Sequence, residues 1–318
     1  MENLNSPGEF GKQMGYKQPR SKKILAYLDS KINYILVAPM VIILVSLIIY
    51  PMFFNINLSI RSVTIFNFLA GEWEFIGIEN YLKIINDPFV QKAFIRTLSF
   101  AFFTVVAQLI LGMIAALAFN ENFKGKGFLM PLALAPMMIT PVAVGLFWRI
   151  LLNSRWGIIN YFLSLIGIEP QLWLADPTLA FISIVIVQVW WGVSFVFLII
   201  LGGLSSLPTE PYEAAVIDGA SKWQTFRFLT LPLLRPVLTV IAVIRIIDAL
   251  REFDIVYTLT GGGPGNSTRV FTLELFKSAF EEGLFGIGAA QSIILLVIIM
   301  IFTSGLIRAL SNTGQAKI

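Results

Sequence analysis

Six long apolar runs constrain this chain more than any other feature of its sequence. A helix needs about 20 mostly apolar residues to cross the hydrocarbon core of a bilayer. Six segments meet this requirement, at about residues 34–57, 93–119, 127–152, 179–204, 234–257 and 285–310. In lipid every backbone polar group must be hydrogen-bonded, and apolar runs of this length satisfy that condition as helices. The runs therefore predict an all-α polytopic membrane protein with six transmembrane helices, and the hydrophobic share of 57% agrees with this.

The distribution of basic residues predicts how the chain crosses the membrane. An even number of spans in the predicted membrane domain, residues 33–311, places both ends on one side. On that side lysines and arginines lie in the N-terminal tail 1–32, the loop after the second span, the loop 205–233 and the C-terminal tail 312–318. The opposite loops also carry basic residues, but many acidic residues lie between them. By the positive-inside rule, both termini and the loop 205–233 are expected in the cytoplasm.

Missing residue types and motifs exclude several kinds of site. The sequence contains no cysteine and no histidine, which excludes zinc–thiolate sites, thiolate nucleophiles and Ser–His pairs. No Gly-rich loop is followed by Lys-Ser or Lys-Thr as a Walker A nucleotide site requires, so the chain is not expected to hydrolyse ATP. The tail 1–32 lacks the apolar core and cleavage site of a signal peptide, so the first span is expected to act as an uncleaved insertion signal. The net charge of +4 is explained by topology, and no nucleic-acid partner, cofactor or metal is expected on this chain.

The loop 205–233 is a polar insert that can offer a shaped surface to a partner. Pro211 suits the first turn of a helix, where its missing N–H has no acceptor, and Thr209 or Glu210 can cap that turn. An apolar stripe at helical spacing then predicts one short amphipathic helix, comprising Tyr212, Ala215, Val216, Gly219, Ala220 and Trp223.

Glycine and proline positions refine the prediction for this loop. Gly219 costs about 1 kcal/mol relative to alanine inside a helix, so it indicates a bend or a close approach by another backbone. Pro232 and Pro236 are expected to end the insert before the fifth apolar run begins. An amphipathic connector that lies on the membrane surface is an alternative interpretation of the same stripe.

The fifth span carries an unusual number of charged residues. Each charge inside a bilayer costs about 2.5–3.5 kcal/mol on insertion scales, so these side chains are expected to face a wet or protein-lined interior. Five residues are predicted on one helix, with the first, second and fourth on a shared face: Arg245, Asp248, Arg251, Glu252 and Asp254. A functional cluster is the first hypothesis. The alternative is a structural cluster with ion pairs between Arg245 and Asp248 and between Arg251 and Asp254.

Two further spans contain residues that are costly in lipid. Three prolines in the third span predict a kinked helix whose freed carbonyl groups face protein or water: Pro131, Pro136 and Pro141. In the fourth span Gln188 lies deep in an apolar run beside Trp190 and Trp191, and its amide must find a hydrogen-bond partner.

Several stretches together resemble a known family. Glu213-Ala214-Ala215, then Gly219, then Leu229-Thr230-Leu231-Pro232 resembles the EAA loop of binding-protein-dependent ABC importer permeases, although Leu229 replaces the usual isoleucine. Residues 253–264 (FDIVYTLTGGGP), followed by Ser267-Thr268, are similar to a stretch of the carbohydrate permeases of the maltose and glycerol-phosphate type. Residues 77–81 (GIENY) and 286–292 (GIGAAQS) fit the same pattern, and the chain resembles the compact six-span form of the family.

The resemblance implies a role for the loop and a set of partners. It implies a coupling helix pair that docks on a cytoplasmic ATPase dimer, with ATP and Mg²⁺ held by that partner. It also implies a second homologous permease, an extracytoplasmic solute-binding protein, and a place in the bacterial cytoplasmic membrane. The implied coupling residues are Glu213, Ala214, Ala215, Asp218, Gly219, Ala220, Trp223, Leu231 and Pro232.

The resemblance to carbohydrate permeases implies a sugar as the solute. Carboxylates and aromatic faces suit the hydroxyl groups and apolar faces of a sugar ring. The residues expected to line its route are Gln188, Trp190, Trp191, Arg245, Asp248, Glu252, Asp254 and Tyr257. A neutral oligosaccharide is favoured, with an acidic oligosaccharide or glycerol phosphate as alternatives. An ion-coupled secondary transporter and a membrane-embedded enzyme using Asp248 and Glu252 remain rival classes, although the sequence shows no inverted repeat for the former.

Overall fold

The computed structural model describes residue 34 and residues 36–311, so the predicted tails at 1–32 and 312–318 lie outside the described residues. The chain divides into two units, residues 1–57 and 58–318. The first unit is described by a single apolar helix, α1 (Leu36–Ser59), which contains a π-helical segment at Val45–Ile49 and ends just inside the second unit.

The second unit is almost entirely helical. Its two short strands, β1 (Arg61–Ser62) and β2 (Glu74–Phe75), pair antiparallel between Arg61 and Phe75 and between Ser62 and Glu74. Its helices are α2 (Ile65–Phe68), α3 (Glu79–Asn86), α4 (Pro88–Asn120), α5 (Lys126–Leu134), α6 (Pro141–Leu151), α7 (Ile158–Leu165), α8 (Pro177–Ser205), α9 (Glu210–Ile217), α10 (Lys222–Thr225), α11 (Leu231–Leu250), α12 (Asp254–Thr260), α13 (Phe271–Phe276) and α14 (Phe285–Ser311).

Four of the described helices are long and apolar enough to cross a membrane: α1, α4, α8 and α14. The count becomes five if the bent pair formed by Lys126–Met138 and Pro141–Leu151 is one span. Helix α11 has 20 residues, but it carries Arg235, Arg245 and Asp248 and is therefore less apolar than the others. The structure thus describes a helical membrane protein with several apolar spans.

The core lies where α4 and α8 pack along each other and α11, α12 and α6 close around them. Buried β-branched and aromatic side chains fill the half nearer α6 and α12, including Phe100, Ile184, Val187 and Ile255. A second apolar cluster, with Phe197 and Ile241, joins α4 and α8 to α11.

The helix predicted as the third span is broken instead of merely kinked. Its two halves meet at 103°, with a 3-10 turn at Ala135–Met138 between them. Pro136 and Pro141 both lack the N–H that a continuous helix would need at this point. The indole Nε1 of Trp191 donates to the carbonyl of Ile139 at 3.0 Å, and Ser194 Oγ donates to the carbonyl of Ala133 at 2.7 Å. Helix α8 therefore satisfies two backbone carbonyls at the break. The carbonyls that Pro136 and Pro141 leave without a helical donor are those of Leu132 and Met137, so the expectation for them stays a prediction.

The prediction of a single helix through the charged part of the fifth span is wrong. Helix α11 ends at Leu250, and α12 begins at Asp254 after a three-residue break. The carboxylate of Glu252 accepts a hydrogen bond from the backbone N–H of Ile255 at 2.9 Å, which stabilises the start of α12. Thr272 Oγ1 donates to the backbone carbonyl of Glu252. Because Glu252 lies in the break, it does not share a helical face with Arg245 and Asp248.

The prediction that Pro232 and Pro236 end the polar insert 205–233 is also wrong. Helix α10 continues through a π-helical segment, Phe226–Thr230, directly into α11, which contains both prolines. The N–H of Leu231 bonds to the carbonyl of Phe226, one residue further back than in an α-helix. We attribute this wider turn to Pro232, whose ring would crowd a regular α-turn and which has no N–H to donate.

Candidate functional site

The loop 205–233 folds as a pair of short helices, α9 and α10, and the predicted single stripe is therefore wrong. Helix α9 ends in a Schellman motif, in which the N–H of Gly219 bonds to the carbonyl of Val216 at 3.1 Å and that of Ala220 to the carbonyl of Ala215 at 2.9 Å. Gly219 adopts φ = +73°, and a Cβ at this position would meet nothing within 4 Å. The glycine therefore serves a left-handed turn, as the bend hypothesis expected, and no close backbone approach occurs there.

The second helix of the pair is fixed by a capping box. The hydroxyl of Ser221 accepts from the N–H of Gln224 at 3.3 Å, and the side chain of Gln224 accepts from the N–H of Ser221 at 2.8 Å. The hydroxyl of Tyr212 on α9 donates to Oγ1 of Thr230 at 3.2 Å. This contact joins α9 to the π-helical segment that leads into α11.

The helix pair presents apolar side chains that the described chain does not cover. Val216, Ile217 and Trp223 are 78%, 86% and 69% exposed. Ala215 is the buried residue of α9. Five of the remaining predicted coupling residues are exposed or partly exposed on the helix pair: Glu213, Ala214, Asp218, Gly219 and Ala220. The other two, Leu231 and Pro232, lie at the start of α11. We call α9, α10 and the turn between them the coupling pair.

A buried polar cluster lies at the other end of α11 from the coupling pair. Arg245 is 3% exposed, and its Nε donates to Oε1 of Gln108 at 2.8 Å. Its Nη1 forms an ion pair with Oδ2 of Asp248 at 3.1 Å, one of the two pairs that the structural alternative proposed. The guanidinium lies 5.7 Å from the ring centre of Trp191 and 6.0 Å from that of Phe195. Four contacts of three kinds, a hydrogen bond, an ion pair and two cation–π contacts, therefore hold this charge away from lipid.

Sequence reasoning missed two members of the cluster, Gln108 and Gly192. The amide of Gln108 bridges two elements, because its Nε2 donates to the backbone carbonyl of Gln188 at 2.8 Å while its Oε1 accepts from Arg245. Gly192 leaves the space for this arrangement, since a Cβ there would lie 2.5 Å from Nη2 of Arg245. A glutamine in the middle of the second apolar run was the available signal for Gln108. No local signal in the sequence identifies Gly192.

Several polar atoms in the cluster are buried without a partner among the described residues. They are Nη2 of Arg245 and both side-chain amide atoms of Gln188. Gln188 is fully buried beside the carboxyl group of Glu252, but no hydrogen bond of good geometry joins the two side chains. The cluster therefore holds buried polar atoms whose hydrogen-bonding capacity the described residues do not use.

The other predicted route residues divide between the core and exposed positions. Trp190 packs edge-on against Trp148 with ring centres 5.5 Å apart, in the apolar core. Tyr257 is 42% exposed and stacks on Phe253 at 5.1 Å. Asp254 is exposed at the start of α12. The structure thus brings Gln188, Trp191, Arg245, Asp248 and Glu252 towards one cluster and leaves Trp190, Asp254 and Tyr257 outside it.

The second ion pair of the structural alternative, between Arg251 and Asp254, does not form. Both side chains are exposed. In the described part of the chain, no group of three or more acidic side chains is arranged to hold a metal ion.

Comparison with known proteins places this geometry in context. Residues 108–313 match the family model described as binding-protein-dependent transport system inner membrane component. The chain is 40% identical over 280 residues to the trehalose/maltose transport system permease protein MalF of Thermococcus litoralis, covering 88% of this chain and 93% of that protein. It is 32% identical over 290 residues to the sulfoquinovosyl glycerol transport system permease protein SmoG of Agrobacterium fabrum, covering 91% and 94%.

The fold also matches a solved transporter. A chain of a bacterial ABC transporter involved in the import of the acidic polysaccharide alginate superposes with a TM-score of 0.79, over 91% of this chain and 99% of that chain, at 21% identity. The matched family segment begins at Gln108 and contains the coupling pair and most of the buried polar cluster. The chain therefore belongs to the family of inner membrane components of binding-protein-dependent transport systems.

Proposed function

We propose that this chain is a translocation subunit of an ATP-driven importer that takes up a sugar delivered by an extracytoplasmic solute-binding protein. The observation that carries the proposal is the coupling pair, an exposed apolar helix pair whose second helix continues without interruption into α11. The two relatives that match most of the chain, from Thermococcus litoralis and Agrobacterium fabrum, are permeases for a disaccharide and for a sugar glycoside.

The continuous helix gives this proposal a mechanical basis. Lys222 and Arg245 are separated by 23 residues of helix, so a rise of about 1.5 Å per residue puts them roughly 35 Å apart. A rigid helix of this length transmits a movement of the coupling pair to the buried polar cluster. The bond between Tyr212 and Thr230 makes α9 move with it.

The energy source and the partners follow from what the chain lacks. The sequence contains no Walker A pattern, so we assign ATP hydrolysis to a separate ATPase dimer that binds ATP and Mg²⁺ and docks on Val216, Ile217 and Trp223. We assign the other half of the pathway to a second homologous permease. The binding protein docks on the opposite face of the membrane.

For topology we propose six spans with both termini in the cytoplasm of a bacterium, in its inner membrane. In this arrangement the broken pair α5–α6 forms the third span, and α11 with α12 forms the fifth. The basic loops are consistent with this orientation, and two of the three charges on α11, Arg245 and Asp248, pair with each other in the polar cluster.

The buried polar cluster is the proposed site of contact with the solute. Unpaired buried polar atoms cost about 1–3 kcal/mol each, and hydroxyl groups of a sugar would satisfy the amide of Gln188 and Nη2 of Arg245 when the pathway opens. We propose a neutral oligosaccharide, because Arg245 is already paired with Asp248 and Glu252 adds a second carboxylate. An acidic oligosaccharide or glycerol phosphate would have to break that pair.

The test is reconstitution of the complex in proteoliposomes. The chain is expressed with its neighbouring genes, and the native mass of the purified particle is measured before sugar uptake is assayed with ATP inside and loaded binding protein outside. We expect one copy of this chain, one second permease and two ATPase copies, with uptake dependent on ATP. Uptake by this chain alone without ATP would refute the proposal and favour an ion-coupled transporter.

A further inference from the structure

A polar cavity of about 280 Å³ lies on the side of the molecule opposite the coupling pair. It is lined by α3, the start of α4, α13 with the segments on either side of it, and the start of α14. Three carboxylates line it, from Asp87, Glu274 and Glu282, together with the guanidinium of Arg269. It shares no residue with the buried polar cluster.

The floor of the cavity contains an unsatisfied amide. Gln291 is fully buried, lines the cavity, and neither its Nε2 nor its Oε1 has a hydrogen-bond partner among the described residues. Ser278, which is 4% exposed, lines the cavity beside it. A buried amide that lacks both partners indicates that a polar group from outside completes this site.

The charged side chains that line the cavity are three carboxylates and two cations, Arg269 and Lys83, which leaves a net charge of −1. Arg96, which does not line the cavity, also attracts Glu274. Arg269 forms a two-point ion pair with Glu274, with Nε 2.5 Å from Oε2 and Nη2 3.2 Å from Oε1. Its contact with Glu282 is longer, at 3.9 Å. Lys83 at the rim is paired with Glu79, outside the cavity, at 2.8 Å. Glu282 is 51% exposed, and its 3.9 Å contact with Arg269 is long, so its carboxylate remains accessible to a further cation.

The pKa of the buried carboxyl group of Glu274 responds to the charges around it. Burial raises its pKa above the usual value, and repulsion from Glu282 and Asp87 raises the pKa further, while Arg269 acts in the opposite direction. A cation at the centre of these three carboxylates would relieve the repulsion.

We propose that this cavity is a socket for a basic side chain, lysine or arginine, of the solute-binding protein that docks on this face. The inference rests on the proposed function, in which such a protein delivers the solute. Ile84 and Val90, both 5% exposed or less, and the exposed ring of Phe89 supply an apolar wall for the alkyl stem of the side chain. Glu282, Asp87 and the Oε1 of Gln291 supply acceptors for its cationic head.

A protein side chain fits this site better than the solute does. The negative excess disfavours an acidic sugar, and the cavity shares no residue with the buried polar cluster that we propose as the solute contact. Lys83 on α3 and Glu282 after α13 line the cavity and are 56% and 51% exposed, so a docked protein can reach them.

The experiment measures ATP hydrolysis by the reconstituted complex as the concentration of loaded binding protein is varied. Glu282→Gln is compared with the matched control Glu281→Gln, since Glu281 is the exposed neighbour on the same segment and does not line the cavity. We expect Glu282→Gln to raise the half-saturating concentration of binding protein at least tenfold, with the basal and maximal rates unchanged. We expect Glu281→Gln to change it less than twofold.

A second set of variants identifies the other side of the contact. Each exposed lysine or arginine on the docking face of the binding protein is replaced by alanine, and one of these variants should weaken docking to the wild-type complex but not to the Glu282→Gln complex. Equal half-saturating concentrations for Glu282→Gln and Glu281→Gln would overturn the socket. If binding protein fails to stimulate the wild-type complex at all, the proposed function fails instead.

Discussion

Replacement of Gly192 by alanine tests the packing of the buried polar cluster directly. The new Cβ would lie 2.5 Å from Nη2 of Arg245 and would also overlap the amide of Gln108. An ordinary contact at this position needs about 3.4–4 Å, so the guanidinium must move by about 1 Å. The 2.8 Å bond between Arg245 and Gln108 cannot survive such a shift.

The magnitude follows from the two groups that are separated. A hydrogen bond to a charged group contributes about 1.5–3 kcal/mol. Alanine in place of glycine stabilises a helix interior by about 0.5–1 kcal/mol, which offsets part of the loss. We therefore expect Gly192→Ala to destabilise the complex by about 1–2 kcal/mol in total.

Gly202 provides a matched control on the same helix, α8. A Cβ at Gly202 would meet nothing within 4 Å, so Gly202→Ala gains the helix propensity without the clash. Thermal unfolding of the two detergent-solubilised variants isolates the clash, because the propensity gain is common to both. We expect Gly192→Ala to be less stable than Gly202→Ala by about 1.5–3 kcal/mol, and to transport more slowly. Stabilities within about 0.5 kcal/mol of each other would refute the proposed role of Gly192.

Three further changes test the path from the coupling pair to the cluster. Gly219→Val forces a β-branched residue into φ = +73°, at a cost of about 1–2 kcal/mol, and should raise the number of ATP molecules hydrolysed per sugar transported. Gly219→Asn should retain coupling, because asparagine tolerates this backbone conformation. Equal effects of the two variants would contradict the conformational argument. Tyr212→Phe removes the 3.2 Å hydrogen bond to Thr230 and should lower the free energy of unfolding by about 0.5–1.5 kcal/mol, measured by thermal unfolding. Phe228→Leu, at an exposed position of the same segment, is the control. Gln108→Leu leaves Nε of Arg245 buried and unpaired, and should reduce sugar uptake while docking of the binding protein, measured by its half-saturating concentration, stays unchanged.

The prediction for the coupling pair shows how far local sequence reaches. The left-handed turn at Gly219 and the capping box between Ser221 and Gln224 are both set by neighbouring residues, and the sequence contains the signal for each. The apolar stripe predicted a single helix because its spacing continues across the glycine. In the structure the Schellman motif ends the first helix and the capping box begins the second, so the stripe is divided between two helices. Both motifs act through backbone hydrogen bonds, which cannot be predicted from the spacing of apolar side chains.

The apolar runs, the membrane class and the family resemblance were determined by the sequence alone, because hydrophobic length and local motifs need no tertiary information. The prolines of the third run predicted a kink, because they remove hydrogen bonds wherever the chain is placed. The full break, with its bend of 103°, was seen only in the structure.

The buried polar cluster was decided by the tertiary structure. Gln108 meets Arg245 across 137 positions of sequence, and Gly192 permits the contact only because two helices cross there. The end of α11 at Leu250 likewise involves Thr272, which binds the freed carbonyl of Glu252 from a separate segment. Charges inside a membrane must find partners, but the sequence does not say which ones, because those partners come from elements that only folding brings together.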